Sequence, residues 1–224
     1  MNFFDIIKRI FDIVFSFIGL LLLLPLFLLA AVFIKIDSRG PILFKQQRVG
    51  RNFTPFAIYK FRTMKTDADG KGIQITVGGD KRVTRIGKIL RKSKIDELPQ
   101  LFNVLIGDMS VVGPRPEMPK YVEFYKSDYK NILSKRPGIT DIASIAFRDE
   151  ESVLKDKDNP ESYYQFILLP KKIELAQKYI KQATFFSDLK IILMTFHRLF
   201  RNNTQDSFLL DPQNRSKNYS NQRK

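Results

Sequence analysis

Two adjacent carboxylates, Asp96 and Glu97, follow directly on a run of lysines and arginines, and Arg115 comes soon after in Gly113-Pro114-Arg115-Pro116. Acids kept ionised beside basic residues can act as nucleophile, general base or metal ligand. An arginine locked between prolines loses little entropy on binding, and its planar fork matches phosphate oxygens two at a time. The commoner fate of acids at a helix start is capping, and these residues alone leave capping and catalysis evenly matched. For Arg115 the plain alternative is a structural turn with an exposed side chain.

The elements that must position these groups can be read on either side. Ile95, Leu98, Leu101, Phe102 and Leu105 recur at helical spacing, and Pro99 is comfortable only in a first turn, so a helix is expected to start near Asp96. Its positive end would then favour both anions, and Gly107-Asp108 would end it. Lys81–Lys94 reads as a basic amphipathic helix with Val83, Ile86, Ile89 and Leu90 on one side, suited to lipid headgroups or a diphosphate. Ile42–Phe44 and Phe56–Tyr59 read as short strands around a turn at Gly50–Asn52, with Lys60, Arg62 and Lys65 at the second strand's exit. Thr66–Asp80 is rich in Asp and Gly and reads as a mobile loop or lid. Further on, Met118–Lys135 is expected to be a helix, Ile139–Phe147 a strand or buried loop, and Lys155–Ser162 a surface loop. Pro170 suits the first turn of a helix running to Ile180, and a last helix is expected from Asp188 to Phe200, where His197 takes a structural role.

Composition narrows the chemistry. Lys and Arg outnumber Asp and Glu by 38 to 23, a formal charge of +15, which points to nucleic acid, phosphorylated small molecules or an anionic membrane surface. With no cysteine and one histidine, disulfides, thiolate chemistry and a histidine-rich zinc site are excluded. A metal would have to be a hard cation on carboxylates and phosphates, most simply Mg²⁺. The run from Ile13 to Ile34 carries no charge and is long enough to cross a hydrocarbon core. Pro25 lies near its middle and breaks the helix, and both flanks are basic, at Lys8-Arg9 and at Lys35 and Arg39. The positive-inside rule draws both ends to the cytoplasm, favouring a re-entrant hairpin over a single span. The expected fold is α+β, mainly helical with a small β element. The expected divisions are a membrane hairpin over residues 1–36, a catalytic domain over 37–200 and a basic, disordered tail over 201–224.

A proline-broken apolar N-terminus, YKFRTM, IDELPQLFNVLIGDMSVVGPRPE and RPGIT occur in that order, and the chain resembles the monotopic phosphoglycosyl transferases of the polyprenyl-phosphate sugar-phosphate transferase superfamily. The resemblance covers roughly Lys8 to Phe200. It implies a bacterial inner-membrane enzyme, working on the cytoplasmic face, that moves a sugar-1-phosphate from a UDP-sugar to undecaprenyl phosphate and releases UMP. On matching positions, Asp96 would be the nucleophile and Glu97 a metal ligand or base, with Mg²⁺ held at the pair. Lys60 and Arg115 would grip phosphates, with Arg91 and Asp188 as further candidates. Inner-membrane lipids are implied partners, nucleic acid is not, and a homodimer is left open. The chain departs from the family at Leu24-Pro25, where serine often precedes the proline, and at Asp141–Asp149, where the best-known members continue with Gly-Trp. It also lacks the several N-terminal spans of larger relatives and is expected to be a minimal catalytic form. The rival is a membrane-anchored basic binding or scaffold protein without chemistry.

Overall fold

Asp5, Lys8, Arg9 and Asp12 recur at helical spacing, so one stripe of the first helix is polar while the rest is apolar. In the computed structural model, which describes residues 3–66 and 75–200, that stripe is turned inward. Helix α1 (Phe3–Leu22) is followed after Leu23 by α2 (Leu24–Asp37), with Pro25 in the first turn of α2 and a bend of 59° between the two. No side chain caps α2. The backbone makes its own connection across the break, Leu23 N–H donating to Gly19 O and Phe27 N–H to Leu23 O, both at 2.9 Å. Among the described residues no single helix is long and apolar enough to cross a membrane, although the bent pair meets that test jointly.

The polar stripe binds α1 to the rest of the chain. Asp12, 2% exposed, accepts from Ser110 Oγ at 3.1 Å and Val111 N–H at 2.9 Å. Burial pushes its carboxyl up, against the pull of Lys8. Arg9 donates to Val104 O at 2.7 Å and Leu105 O at 3.0 Å, near the negative end of α4 (Gln100–Ile106). Lys135 donates to Asp5 at 2.8 Å, and Lys8 pairs with Asp188. The opposite faces of α1 and α2 are exposed, with Leu22 at 74% and Ile36 at 76%.

Strands β1 (Leu43–Val49) and β2 (Pro55–Phe61) form an antiparallel hairpin with Leu43 opposite Phe61 and Val49 opposite Pro55. It is longer than the sequence signals imply, and its turn is closed by Asn52 and Phe53 in left-handed conformations. The basic helix is α3 (Arg85–Lys92), N-capped by Thr84 and shorter than the expected Lys81–Lys94. Ala30 and Ile34 of α2, Phe61 of β2 and Leu90 of α3 form one small core.

The helix expected to begin near Asp96 is divided. Ile95–Glu97 form a 3₁₀ turn, and α4 starts at Gln100 with Pro99 as its N-cap, so the carboxylates precede the helix. Gly107, at φ +100°, ends α4 in the left-handed conformation that glycine adopts without steric cost. Strand β3 (Ser110–Val112) pairs in parallel with β4 (Gly138–Thr140), Ser110 opposite Gly138. The crossover holds α5 (Pro119–Phe124) and α6 (Lys126–Ile132), a break at Tyr125 replacing the single expected helix.

After β4 come α7 (Ile142–Ala146), α8 (Glu150–Lys155) and α9 (Pro160–Tyr163), so the expected surface loop at Lys155–Ser162 includes a short helix. Helix α10 (Leu169–Gln182) has Pro170 in its first turn, and α11 (Phe185–Phe200) is the last described element. The largest core gathers Tyr121, Tyr129, Leu154, Leu168 and Leu169. A second joins Ile58, Val104, Met109, Val112 and Ile191, with Phe11 and Phe15 of α1 packed against it. The middle of the expected lid, 67–74, and the expected disordered tail, 201–224, lie outside the described residues.

Candidate active site

Lys94 has φ 59° and ψ 15°, a conformation that costs a non-glycine residue roughly 1 kcal/mol or more. It turns the chain out of α3 and into the 3₁₀ turn, held by Lys94 N–H to Arg91 O at 3.1 Å and Glu97 N–H to Lys94 O at 3.3 Å. The turn packs beside β2, which carries Lys60. Asn103 of α4 fixes that neighbourhood by completing the open edge of β2: its amide donates to Ala57 O at 2.8 Å and accepts from Tyr59 N–H at 3.0 Å. The loop after β3 closes the group from the other side by bringing in Arg115.

Glu97 is the electrostatic hub. Arg115 grips it with both ends of its guanidinium, Nη1 to Oε2 at 2.9 Å and Nη2 to Oε1, and Lys60 Nζ adds a contact to Oε1 at 3.1 Å. Burial opposes ionisation of Glu97, but Arg115 and Lys60 outweigh it and hold the carboxyl well below its usual range. The same pairing pulls Arg115 up, while burial pushes Lys60 down against the attraction of Glu97. Glu97 is therefore ionised and has both oxygens engaged.

Asp96 is the opposite case. It is 7% exposed, and its buried Oδ1 accepts no hydrogen bond from the described residues. Burial, and then the charge of Glu97, push its carboxyl up to about 6, against Lys60, Lys94 and Arg91. An acid of that kind is ionised at neutral pH, poorly solvated and uncommitted, which favours nucleophilic attack. The site also bears on the expected Mg²⁺. Asp96 fits as the one carboxylate contact of an ion whose other ligands are substrate phosphates and water. Glu97 accepts from Arg115 through both oxygens and from Lys60 through Oε1, so as a second ligand it would share those oxygens with the two cations; no cluster of three or more acidic or histidine side chains that could hold a metal occurs among the described residues.

Asp96, Glu97, Lys60, Arg91 and Arg115 all line one cavity of about 1380 Å³. Arg91 is partly engaged, donating from Nε to Thr63 Oγ1 at 2.9 Å and from Nη1 to Glu151 at 2.9 Å. Further cations on the wall, Arg62, Lys94, Arg148 and Lys172, give it the charge to suit an anionic ligand. The cavity reaches along α1 as far as Leu22 and Leu23, so its apolar end abuts the helix break next to Pro25.

Asp188 stands apart from this wall. It is 4% exposed and tied to Lys8 and to Tyr179 Oη, the latter at 2.7 Å, so the structure brings it to α1 and not to Asp96. Sequence reasoning missed a buried network at the cavity's far side. Glu117 accepts from Arg48 at 3.1 Å and from Tyr164 Oη at 2.6 Å, and Lys172 pairs with Glu150. The position of Glu117 next to Arg115-Pro116 was the one available signal. Arg62, read from the sequence at the exit of the second strand, lies one residue beyond β2, and its partner at the end of α2 had no sequence signal. Arg62 donates to Ser38 O at 2.6 Å and Ser38 Oγ at 3.0 Å, closing the end of α2.

Comparison with known proteins adds a sequence likeness along this whole framework. A family model described as bacterial sugar transferase matches residues 3–202. A UDP-N-acetylgalactosamine-undecaprenyl-phosphate N-acetylgalactosaminephosphotransferase of Aeromonas hydrophila is 40% identical over 198 residues, covering 86% of this chain and 43% of that protein. A UDP-glucose:undecaprenyl-phosphate glucose-1-phosphate transferase of Caulobacter vibrioides is 40% identical over 195 residues, 85% of this chain and 68% of the relative. One of the same name from Klebsiella pneumoniae is 39% identical over 202 residues, 88% of this chain and 41% of the relative. The chain thus spans less than half the length of two of these three relatives.

Proposed function

This chain belongs to the bacterial sugar transferase family, and on that premise we propose that it transfers a sugar-1-phosphate from a UDP-sugar to undecaprenyl phosphate. The observation that carries the reading is the division of labour between neighbouring acids: Glu97 bound twice over by Arg115 and Lys60, Asp96 buried with a free oxygen. Asp96 attacks the sugar-linked phosphorus of the donor. An Asp96 O–P bond forms, the bridging P–O bond to the inner phosphate breaks, and UMP leaves with that bridging oxygen. An oxygen of the polyprenyl phosphate then attacks the same phosphorus, the acyl–phosphate bond breaks, and the Asp96 carboxylate is regenerated.

Lys60 and Arg115 hold phosphate oxygens during both displacements, and Glu97 keeps the two cations in place. Mg²⁺ on the donor diphosphate, in contact with Asp96, would neutralise charge and improve the leaving group. The acceptor's tail runs along the α1 wall toward the helix break. The exposed apolar faces of α1 and α2, with Phe102 and Ile106 of α4 and Phe186 and Leu193 of α11, rest in the cytoplasmic leaflet of the inner membrane. The hairpin re-enters rather than spans, and the docked polar stripe of α1 supports that reading.

The test is nucleotide release by protein in lipid with Mg²⁺, undecaprenyl phosphate, and UDP-glucose or UDP-N-acetylgalactosamine. UMP release that Asp96→Asn abolishes, with a sugar-phosphate adduct trapped on Asp96 when acceptor is withheld, is the expected result. UDP release would mean transfer of the sugar alone. No turnover with any nucleotide sugar would favour a binding or scaffold role.

A further inference from the structure

In Pro114-Arg115-Pro116 the prolines have no backbone N–H, so Arg115 carries the tripeptide's single main-chain donor. That donor goes to Asp141 Oδ2 at 3.2 Å. The other oxygen of the same carboxylate, Oδ1, accepts from Ser144 N–H at 2.6 Å and caps α7. Asp141 is 3% exposed and follows directly on β4, whose Thr140 O takes Gly113 N–H at 3.1 Å while Gly138 N–H donates to Pro114 O at 3.0 Å. The backbone of the proline-locked loop is thus fixed to β4 just before Arg115, and at Arg115 itself a side chain does the fixing.

We infer that Asp141 is a positioning residue, which aims Arg115 at the donor diphosphate and couples that grip to α7 on the adjoining cavity wall. The inference rests on the sugar-phosphate transfer reading. The guanidinium is about one-third exposed, enough to meet a ligand while it holds Glu97. Its direction depends on the short tripeptide it leaves, which has no second main-chain N–H with which to compensate. Asp141 touches no substrate in this scheme and acts through Arg115.

Asp141→Ser separates the two tasks, because serine can still cap α7 but cannot also reach Arg115 N–H. The expected result is a fall in kcat/KM for the UDP-sugar of about tenfold, the loss of one hydrogen bond in a charged setting. The melting temperature should stay close to that of the wild type. Asn159→Ala, which removes the cap of α9 away from the cavity, is the control and should leave kcat/KM unchanged. In an Arg115→Lys background, Asp141→Ser should cost less than about twofold, because its effect passes through the arginine. If turnover there falls below detection, equilibrium binding of the same UDP-sugar reads the same cycle. An unchanged kcat/KM in Asp141→Ser, or a full tenfold loss in the Arg115→Lys background, overturns the inference while wild-type activity stands. Wild-type protein that neither turns over nor binds a UDP-sugar overturns the reading beneath it.

Discussion

Replacing Asp96 by Asn should make the protein more stable as it makes it inactive. Burial and Glu97 raise the Asp96 carboxyl from an ordinary value of 3.8 to about 6, so the folded state holds a charge that the unfolded chain bears more easily. At about 1.4 kcal/mol for each pH unit, the penalty is about 3 kcal/mol near pH 7.5. Below pH 3.8 both states are protonated and the penalty is absent; it grows as pH rises through about 6, so the wild type loses stability over that window. Near pH 4 the same relation leaves only about 0.5 kcal/mol. For a protein of this size 1 kcal/mol moves the melting temperature by about 2–4 °C, so Asp96→Asn should melt about 6–12 °C higher near pH 7.5. Near pH 4 the two proteins should melt almost together. The assay is thermal unfolding of both proteins in the same lipid or detergent, with EDTA present to remove metal. A mutant no more stable than wild type near pH 7.5, or a gap that does not close on acidification, would refute the picture of Asp96 as an unpaired buried acid.

Three further outcomes follow from the same geometry. Transferase kcat/KM should fall on the acid side as pH drops through about 6, where Asp96 takes up its proton, and a pH–rate profile of UMP release reads that limb. Arg115→Lys keeps the charge but loses the two-pronged hold on Glu97, so activity should drop by roughly 10- to 100-fold in the same assay. Gly40→Ala should destabilise the fold by about 2 kcal/mol or more, read as a lower melting temperature. Gly40 has φ +124°, and an added Cβ would stand 2.1 Å from Arg62 Nη1, displacing the arginine that closes the end of α2.

Local chemistry made part of this architecture legible. The stop at Gly107, the helix entered at Pro170 and the break at Pro25 each rest on glycine or proline, whose backbone limits operate without the rest of the fold. The grouping of Asp96, Glu97, Lys60, Arg91 and Arg115 on one cavity wall was legible only through motifs met together in order. Other features depend on distant partners. Asp141 meets Arg115 across 26 positions, and Tyr164 meets Glu117 across 47, with no periodicity to announce either. The break at Tyr125 has neither proline nor glycine. The left-handed Lys94, which turns the chain from α3 into the 3₁₀ turn, is held by neighbouring backbone bonds rather than by its own preference. Asp188 was a candidate only through the family resemblance, and the structure ties it to Lys8 and Tyr179. The signal for that tie lay in the first helix, where the charges at Lys8 and Asp12 share one face.

That stripe has a consequence for how the protein can be handled and how it is built. An anchor joined by a linker can be cut away to leave a soluble remainder, but α1 is keyed into the interior. Removing residues 1–36 would leave Asp188 without Lys8, Ser110 and the Val111 N–H without Asp12, and the carbonyls at the end of α4 without Arg9. It would also strip Phe11 and Phe15 from the second core. On the proposed placement of α1 in lipid, the helix would act as a keel rather than a tether: its depth in the bilayer would fix the height of the cavity mouth, because α1 is packed into the rest of the chain.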